Sequence, residues 1–163
     1  MATSIFVNFA TTDLERAKTF YTSLGFEVNP MFSDENGACL VVDDNVYFMV
    51  LTREHFASFI DKTVADPKTT TSALVSLSRD SRADVDAVIA NGLANGGTEP
   101  VPVQDLGFMY SRGLEDPDGN AIDFFFMEPA AIEAGPENFM AERAGDDEGA
   151  LGDDPEEGGT GAS

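Results

Sequence analysis

The chain has 163 residues, 42% of them apolar, and carries 30 acidic against nine basic side chains for a formal charge of −21. That size and apolar share suit one domain with a substantial core, while the charge repels nucleic-acid phosphates and anionic lipid, so no nucleic acid and no membrane is expected as a partner. No apolar run approaches the ~20 residues of a membrane helix and Met1-Ala2-Thr3-Ser4 lacks a basic start, which makes a cytoplasmic location the expectation. The single cysteine, Cys39, sits between Ala38 and Leu40 and reads as a packed core thiol.

Ser4 to Ala10 reads as a short apolar strand. Asp13 then caps a helix whose Leu14, Ala17, Phe20, Tyr21 and Leu24 recur at helical spacing before Gly25 ends it. Strands follow near Glu27 to Phe32, Gly37 to Val42 and Val46 to Leu51, separated by the turn-forming runs Asp34-Glu35-Asn36-Gly37 and Asp43-Asp44-Asn45. A connection over 53–71 contains His55, Phe56, Phe59 and Pro67, and its first part can form a short helix. The pattern then repeats: a strand over Ala73 to Ser78, a helix capped by Ser81 with Val85, Val88, Ile89 and Leu93 on its apolar face, and a stop at Asn95-Gly96-Gly97. Strands near Glu99 to Gln104, Phe108 to Leu114 and Asn120 to Met127 complete it.

The expected fold class is therefore α+β, with two βαβββ modules at about 2–52 and 72–128 that share element order rather than residue identity. Pairing them is expected to create a cleft. Residues 128–163 hold 11 acids and one base, against 19 acids and eight bases in 1–127. The segment 129–163 thus reads as a disordered acidic tail in which Phe139 and Met140 are an unanchored apolar pair.

Two stretches carry a resemblance to a known family. Phe6-Val-Asn-Phe-Ala-Thr-Thr-Asp13-Leu with Phe20-Tyr21 and Leu24-Gly25-Phe26 is one, and Gly107-Phe-Met-Tyr110 with Asp116-Pro-Asp-Gly119 is the other. Over residues 2–128 the chain resembles the vicinal oxygen chelate superfamily, which includes glyoxalase I, extradiol dioxygenases, and fosfomycin- and bleomycin-resistance proteins. The resemblance implies paired βαβββ modules around a small-molecule pocket, and commonly a homodimer. Asp116-Pro117-Asp118-Gly119 itself has the make-up of a tight turn: an acceptor side chain, a proline with preset φ, and a glycine that tolerates positive φ.

Metal-dependent members place ligands on four strands, and the resemblance maps those positions onto Phe6, Met49 or Leu51, the neighbourhood of Ala73, and Asp123. Only Asp123 retains a coordinating group, so no metal site and no cofactor is expected. His55, the sole imidazole, reads as a solvated loop residue. An arginine that grips glutathione in glyoxalase I corresponds to Ala10, which disfavours that activity. Where some subgroups carry Gly-His-x-Trp-Glu after the turn, this chain has Gly119-Asn-Ala-Ile-Asp123.

Strand alternation groups Phe6, Asn8 and Ala10, then Phe108, Tyr110 and Arg112, then Ala121, Asp123, Phe125 and Met127. If these sets face the cleft, Asn8, Tyr110, Arg112 and Asp123 are its candidate ligand-binding groups, with Asp123 as candidate proton acceptor. Arg112 and Asp123 occupy two arms of one hairpin, and a charge pair between them is the structural alternative. One functional reading is a metal-free protein, homodimeric as the resemblance implies, that binds or sequesters a cationic or aromatic molecule as bleomycin-resistance proteins do. The other is a lyase, isomerase or dioxygenase with a divergent or intersubunit active site.

Overall fold

The Asp13 carboxylate accepts the backbone N–H of Arg16 and so opens helix α1, Leu14–Ser23, where the sequence implies. In the computed structural model, which describes residues 2–149, this helix buries Ala17, Phe20 and Tyr21 on one face. It crosses a sheet of β1 Ile5–Thr11, β2 Glu27–Asn29, β3 Gly37–Asp43 and β4 Val46–Thr52, in spatial order β1-β4-β3-β2. Strands β1 and β4 are parallel, and the other pairings are antiparallel. The expected strand at 27–32 stops at Asn29, because Pro30 has no N–H for the ladder and starts a single 3₁₀ turn, Pro30–Phe32.

After α2, Arg53–Ala57, the chain reaches β5 Val75–Ser78 and then α3 Arg82–Ala94, whose cap Ser81 accepts from the Asp84 N–H. With β6 Gln104–Asp105, β7 Met109–Glu115 and β8 Ala121–Met127, the second sheet has order β5-β8-β7-β6. It repeats the first strand for strand. The fold is α+β with paired βαβββ modules, as the element order implies.

Helices α1 and α3 pack against each other as well as against their own sheets, so one core serves both modules. Phe9, Phe20, Tyr21, Phe26 and Phe48 meet Val85, Ile89, Leu114, Ile122 and Phe124 there. Cys39 is buried, and burial raises its thiol pKa, in keeping with an unreactive packed group. Joining through the helices leaves the opposite face of each sheet open. The single cleft expected between the modules is therefore replaced by two separate clefts, one per sheet.

A second contact ties the modules together. The turn from Asp116 to Gly119, between β7 and β8, docks on the β1–α1 turn of the first module. Asp118 Oδ2 accepts the Thr11 hydroxyl at 2.5 Å, and its Oδ1 accepts the Thr12 N–H and hydroxyl, both at 2.9 Å, and Arg16 at 3.0 Å. Asp116 Oδ2 accepts the Tyr21 hydroxyl at 2.6 Å, while its Oδ1 takes the N–H groups of Asp118 and Asn120 within the turn. Gly119 has φ +100°, and a Cβ there would stand 3.0 Å from the backbone of Pro67 and Lys68, so both conformation and space require glycine.

Burial drives the two carboxylates the same way, but their partners differ. Asp116 is left with a raised pKa, because its hydrogen bonds from Tyr21 and Asn120 do not offset desolvation. Around Asp118 the bonds from Thr11 and Thr12 and the Arg16 charge outweigh desolvation and hold its pKa below the ordinary carboxylate value. Burial, followed by the Asp116 charge, pushes the Tyr21 hydroxyl well above its usual pKa.

Beyond β8 the structure corrects the expected tail. Pro129–Ala134 forms α4 and Pro136–Gly149 forms α5, with Ala131 buried. Proline at the first position of α4 and alanines along it favour helix, and Met140 gains a partner by lying over Gly107. Residues 150–163, the rest of that expected tail, lie outside the described residues. No described helix is long and apolar enough to cross a membrane.

Asp118→Asn is expected to cost about 2–3 kcal/mol at neutral pH, the scale of a buried charge-assisted network. A depressed folded-state pKa contributes stability above the unfolded value, about 3.9, that is lost as pH falls through the folded value. The wild-type advantage over Asp118→Asn should therefore shrink below about pH 4, as measured by urea unfolding from pH 7 to pH 2.5.

Candidate functional site

The second cleft is shaped by two prolines. The sequence predicts a strand over Glu99 to Gln104, yet only Gln104 and Asp105 pair with β7, at Ser111 and Tyr110. One further bridge joins Thr98 to Glu115. Between those anchors the outer chain takes six residue steps, from 98 to 104, opposite four on β7, from 115 to 111. Pro100 and Pro102 cannot donate to a ladder, so the surplus lifts away from the sheet as an arch.

Under the arch lies a cleft of about 410 Å³, walled by Leu74, Pro100, Val101 and Pro102 and floored by Ser111, Gly113, Ala121 and Asp123. Gly113 stands opposite Asp123 in register, and a Cβ on it would come within 3.3 Å of Val101. Small floor residues keep the space above Asp123 clear. The Asp123 Oδ1 atom is buried and has no hydrogen-bond partner, the only such side-chain atom among the described residues. An unsatisfied buried acceptor costs roughly 1–3 kcal/mol, more when charged.

Strand register separates the candidate residues. Asp123 pairs with Gly113, whereas Arg112 pairs with Phe124 and Tyr110 with Phe126, so Arg112 and Tyr110 project from the other face of the hairpin, toward α3. The expected Arg112–Asp123 pair is not formed. Instead Arg112 makes a two-pronged contact with Glu99 at 2.9 and 2.8 Å and reaches Asp86 on α3 at 2.8 Å. Tyr110 donates to the same Asp86 oxygen at 2.7 Å. Hydrogen bonds from Tyr110 and then Arg112 lower the Asp86 pKa, and those from Arg112 lower that of Glu99.

Asn8 is on the open face of the first sheet, beside a cleft of about 310 Å³ that it lines with Leu51, Phe56, Phe59 and Ile60. Its amide donates to the Phe6 carbonyl at 3.1 Å. Phe6 stacks on Tyr47 with ring centroids 4.7 Å apart, and about half its surface is exposed. His55 is in α2 with its ring edge-on to Phe59. The structure thus brings neither Asn8, Tyr110 nor Arg112 to Asp123. The groups that build the cleft instead are Pro100, Pro102 and Gly113, and the Pro-Val-Pro run was their signal in the sequence.

The residues do not fit the metal of metal-dependent relatives. The neighbour in register with Asp123 is Ser76, since Ala73 precedes β5, and the equivalent first-module pair is Asn8 and Met49. Among the described residues no three His, Cys, Asp or Glu side chains are grouped to hold an ion. Asp123 beside Ser76, with Asn8 and Met49 at the equivalent first-module positions, lacks the three protein donors a catalytic divalent cation takes.

With this geometry in view, residues 3–43 match the sequence profile of the bleomycin resistance protein-like N-terminal family. Solved structures share the fold. A glyoxalase/bleomycin resistance protein/dioxygenase family enzyme from Burkholderia phytofirmans superposes with TM-score 0.64 at 19% identity, covering 78% of this chain and 100% of that one. A glyoxalase/bleomycin resistance protein from Albidiferax ferrireducens gives 0.57 at 24%, with 76% and 97% covered. A glyoxalase-related enzyme from Fulvimarina pelagi gives 0.62 at 16%, with 77% and 87% covered. The chain has the glyoxalase/bleomycin resistance fold. No curated protein matches the sequence.

Arg112→Ala is expected to act on stability alone. Loss of the Glu99 and Asp86 contacts should lower the melting midpoint by about 2–8 °C, corresponding to roughly 1–2 kcal/mol, in differential scanning calorimetry.

Proposed function

We propose that the protein is a metal-free binding protein that holds or sequesters a small organic molecule against its open sheet faces, as bleomycin-resistance-type proteins do. The observation that carries this is the buried, unpartnered Asp123 Oδ1 beneath the proline arch. A largely apolar cleft with a carboxylate and the uncharged polar side chains of Gln104 and Ser111 has the make-up of a ligand site, and the hydrogen bond that Asp123 lacks is one a ligand can supply.

The working form is a homodimer. Exposed Phe6, Phe59 and Ile60 on the first module and Leu74 and Val101 at the cleft of the second are large apolar groups that a partner can cover. Setting the first-module face of one copy over the second-module face of its partner covers both and turns two shallow clefts into closed chambers. The facing module adds Phe6, Asn8, Met49 and Leu51, none of them a strong metal donor, so pairing does not restore an oxygen-chelating centre.

Two measurements test this. Metal analysis of protein purified without chelator should give far less than one equivalent of Zn, Ni, Mn or Fe. A stoichiometric metal would overturn the metal-free reading in favour of a lyase, isomerase or dioxygenase. Light scattering should report twice the 17.4 kDa chain mass, and Phe6→Glu should shift it to the monomer by placing a charge within the buried apolar face. An unchanged mass for Phe6→Glu would argue against pairing through this face.

A further inference from the structure

We infer that the cleft beneath the Pro100–Pro102 arch selects a small organic ammonium ion, with a ligand N–H donating to the Asp123 carboxylate, whose Oδ1 the fold leaves without a donor. The inference rests on the ligand-binding reading above and names the chemical class of the ligand.

Four observations converge on a cation. The Asp123 oxygen is buried without a donor, so the cleft calls for a ligand that donates. The protein does not neutralise this carboxylate: among the described residues no salt bridge reaches it, and Arg112 is turned to the far face and held by Glu99 and Asp86. The residue across the hairpin is Gly113, which leaves the approach to the carboxylate open. The chain's charge of −21 attracts cations and repels anions at long range.

The remaining lining determines what kind of cation. Pro100, Val101, Pro102 and Leu74 offer flat and aliphatic surface, and Gln104 and Ser111 add neutral polar groups but no second charge, so a bare metal ion would stay undercoordinated. An ammonium group with a compact carbon skeleton satisfies both parts at once: its N–H meets Asp123 and its skeleton lies between the arch and the Ser111, Gly113 and Ala121 floor. No aromatic side chain of the same copy lines this cleft, so within one copy the apolar contact comes from proline and aliphatic carbons. Of the two ligand types the sequence suggests, cationic and aromatic, the cationic one is favoured because charge is the feature the cleft leaves unanswered.

The test uses three probes of one shape, benzylammonium, benzyl alcohol and benzoate, titrated into the full-length protein by calorimetry at pH 7. Benzylammonium should bind at least about tenfold more tightly than benzyl alcohol, the difference expected of one charge-assisted hydrogen bond, and benzoate should not compete. Asp123→Asn should bring the two affinities together. Gly113→Ala keeps the charge but narrows the space above it, and should weaken benzylammonium several-fold. A melting curve on each variant separates loss of the site from loss of the fold. Equal affinity for ammonium and alcohol, a preference for benzoate, or undiminished discrimination in Asp123→Asn would overturn the inference. A parallel thermal-shift screen of neutral compounds keeps the two readings apart. Neutral ligands without ammonium preference refute the ligand class but support a binding pocket, whereas no ligand of any kind refutes both.

Discussion

The relative placement of the two modules depends on a buried polar clasp, the Asp116–Gly119 turn held by Thr11, Thr12, Arg16 and Tyr21. Helix α1 meets α3 through apolar side chains, and apolar contact is tolerant of sliding. Hydrogen bonds at 2.5–3.0 Å to two buried carboxylates are not. They fix which residue of one module faces which residue of the other, and Gly119 draws the Pro67–Lys68 connection into the same knot. The direction in which each open sheet face points follows from that fixed geometry.

The charges of the second module divide by face. On the side toward α3, Arg112 is bound to Glu99 and Asp86, Tyr110 shares Asp86, and Arg82 engages Asp105 while its guanidinium lies over the Tyr110 ring. These groups satisfy one another. In the open-side cleft Asp123 stands among small, aliphatic and uncharged polar residues with one oxygen unanswered. A sheet can sustain that contrast because alternate residues of one strand project to opposite sides, so neighbours in sequence answer to different surroundings.

The sequence was most informative where local rules govern. Asp13 and Ser81 cap their helices because a short acceptor before an apolar-periodic run has few other uses, and the turn proline and glycine at 117 and 119 are dictated by backbone sterics. That Asp116 and Asp118 are also the intermodule clasp was not visible, since Thr11 and Tyr21 are about a hundred residues distant and nothing local records the pairing. Among the candidate site residues, alternation correctly separated Arg112 from its neighbours but could not say which face was open. One register step sends Arg112 to α3 and Gly113 to the cleft. The arch has a strand's apolar content at Val101 and Val103, but its two prolines keep it off the ladder.

The placement of the tyrosines has an optical consequence. The chain has no tryptophan and three tyrosines, and each reports on a different part of the molecule. Tyr21 is locked in the clasp between modules, Tyr110 is tied to Asp86 at the helix-facing side, and Tyr47 stacks on Phe6 at the open face of the first sheet. Without tryptophan, near-ultraviolet signals come from tyrosine and phenylalanine alone, and replacing one tyrosine at a time by phenylalanine assigns changes to the clasp, to the α3 side or to the first-module face.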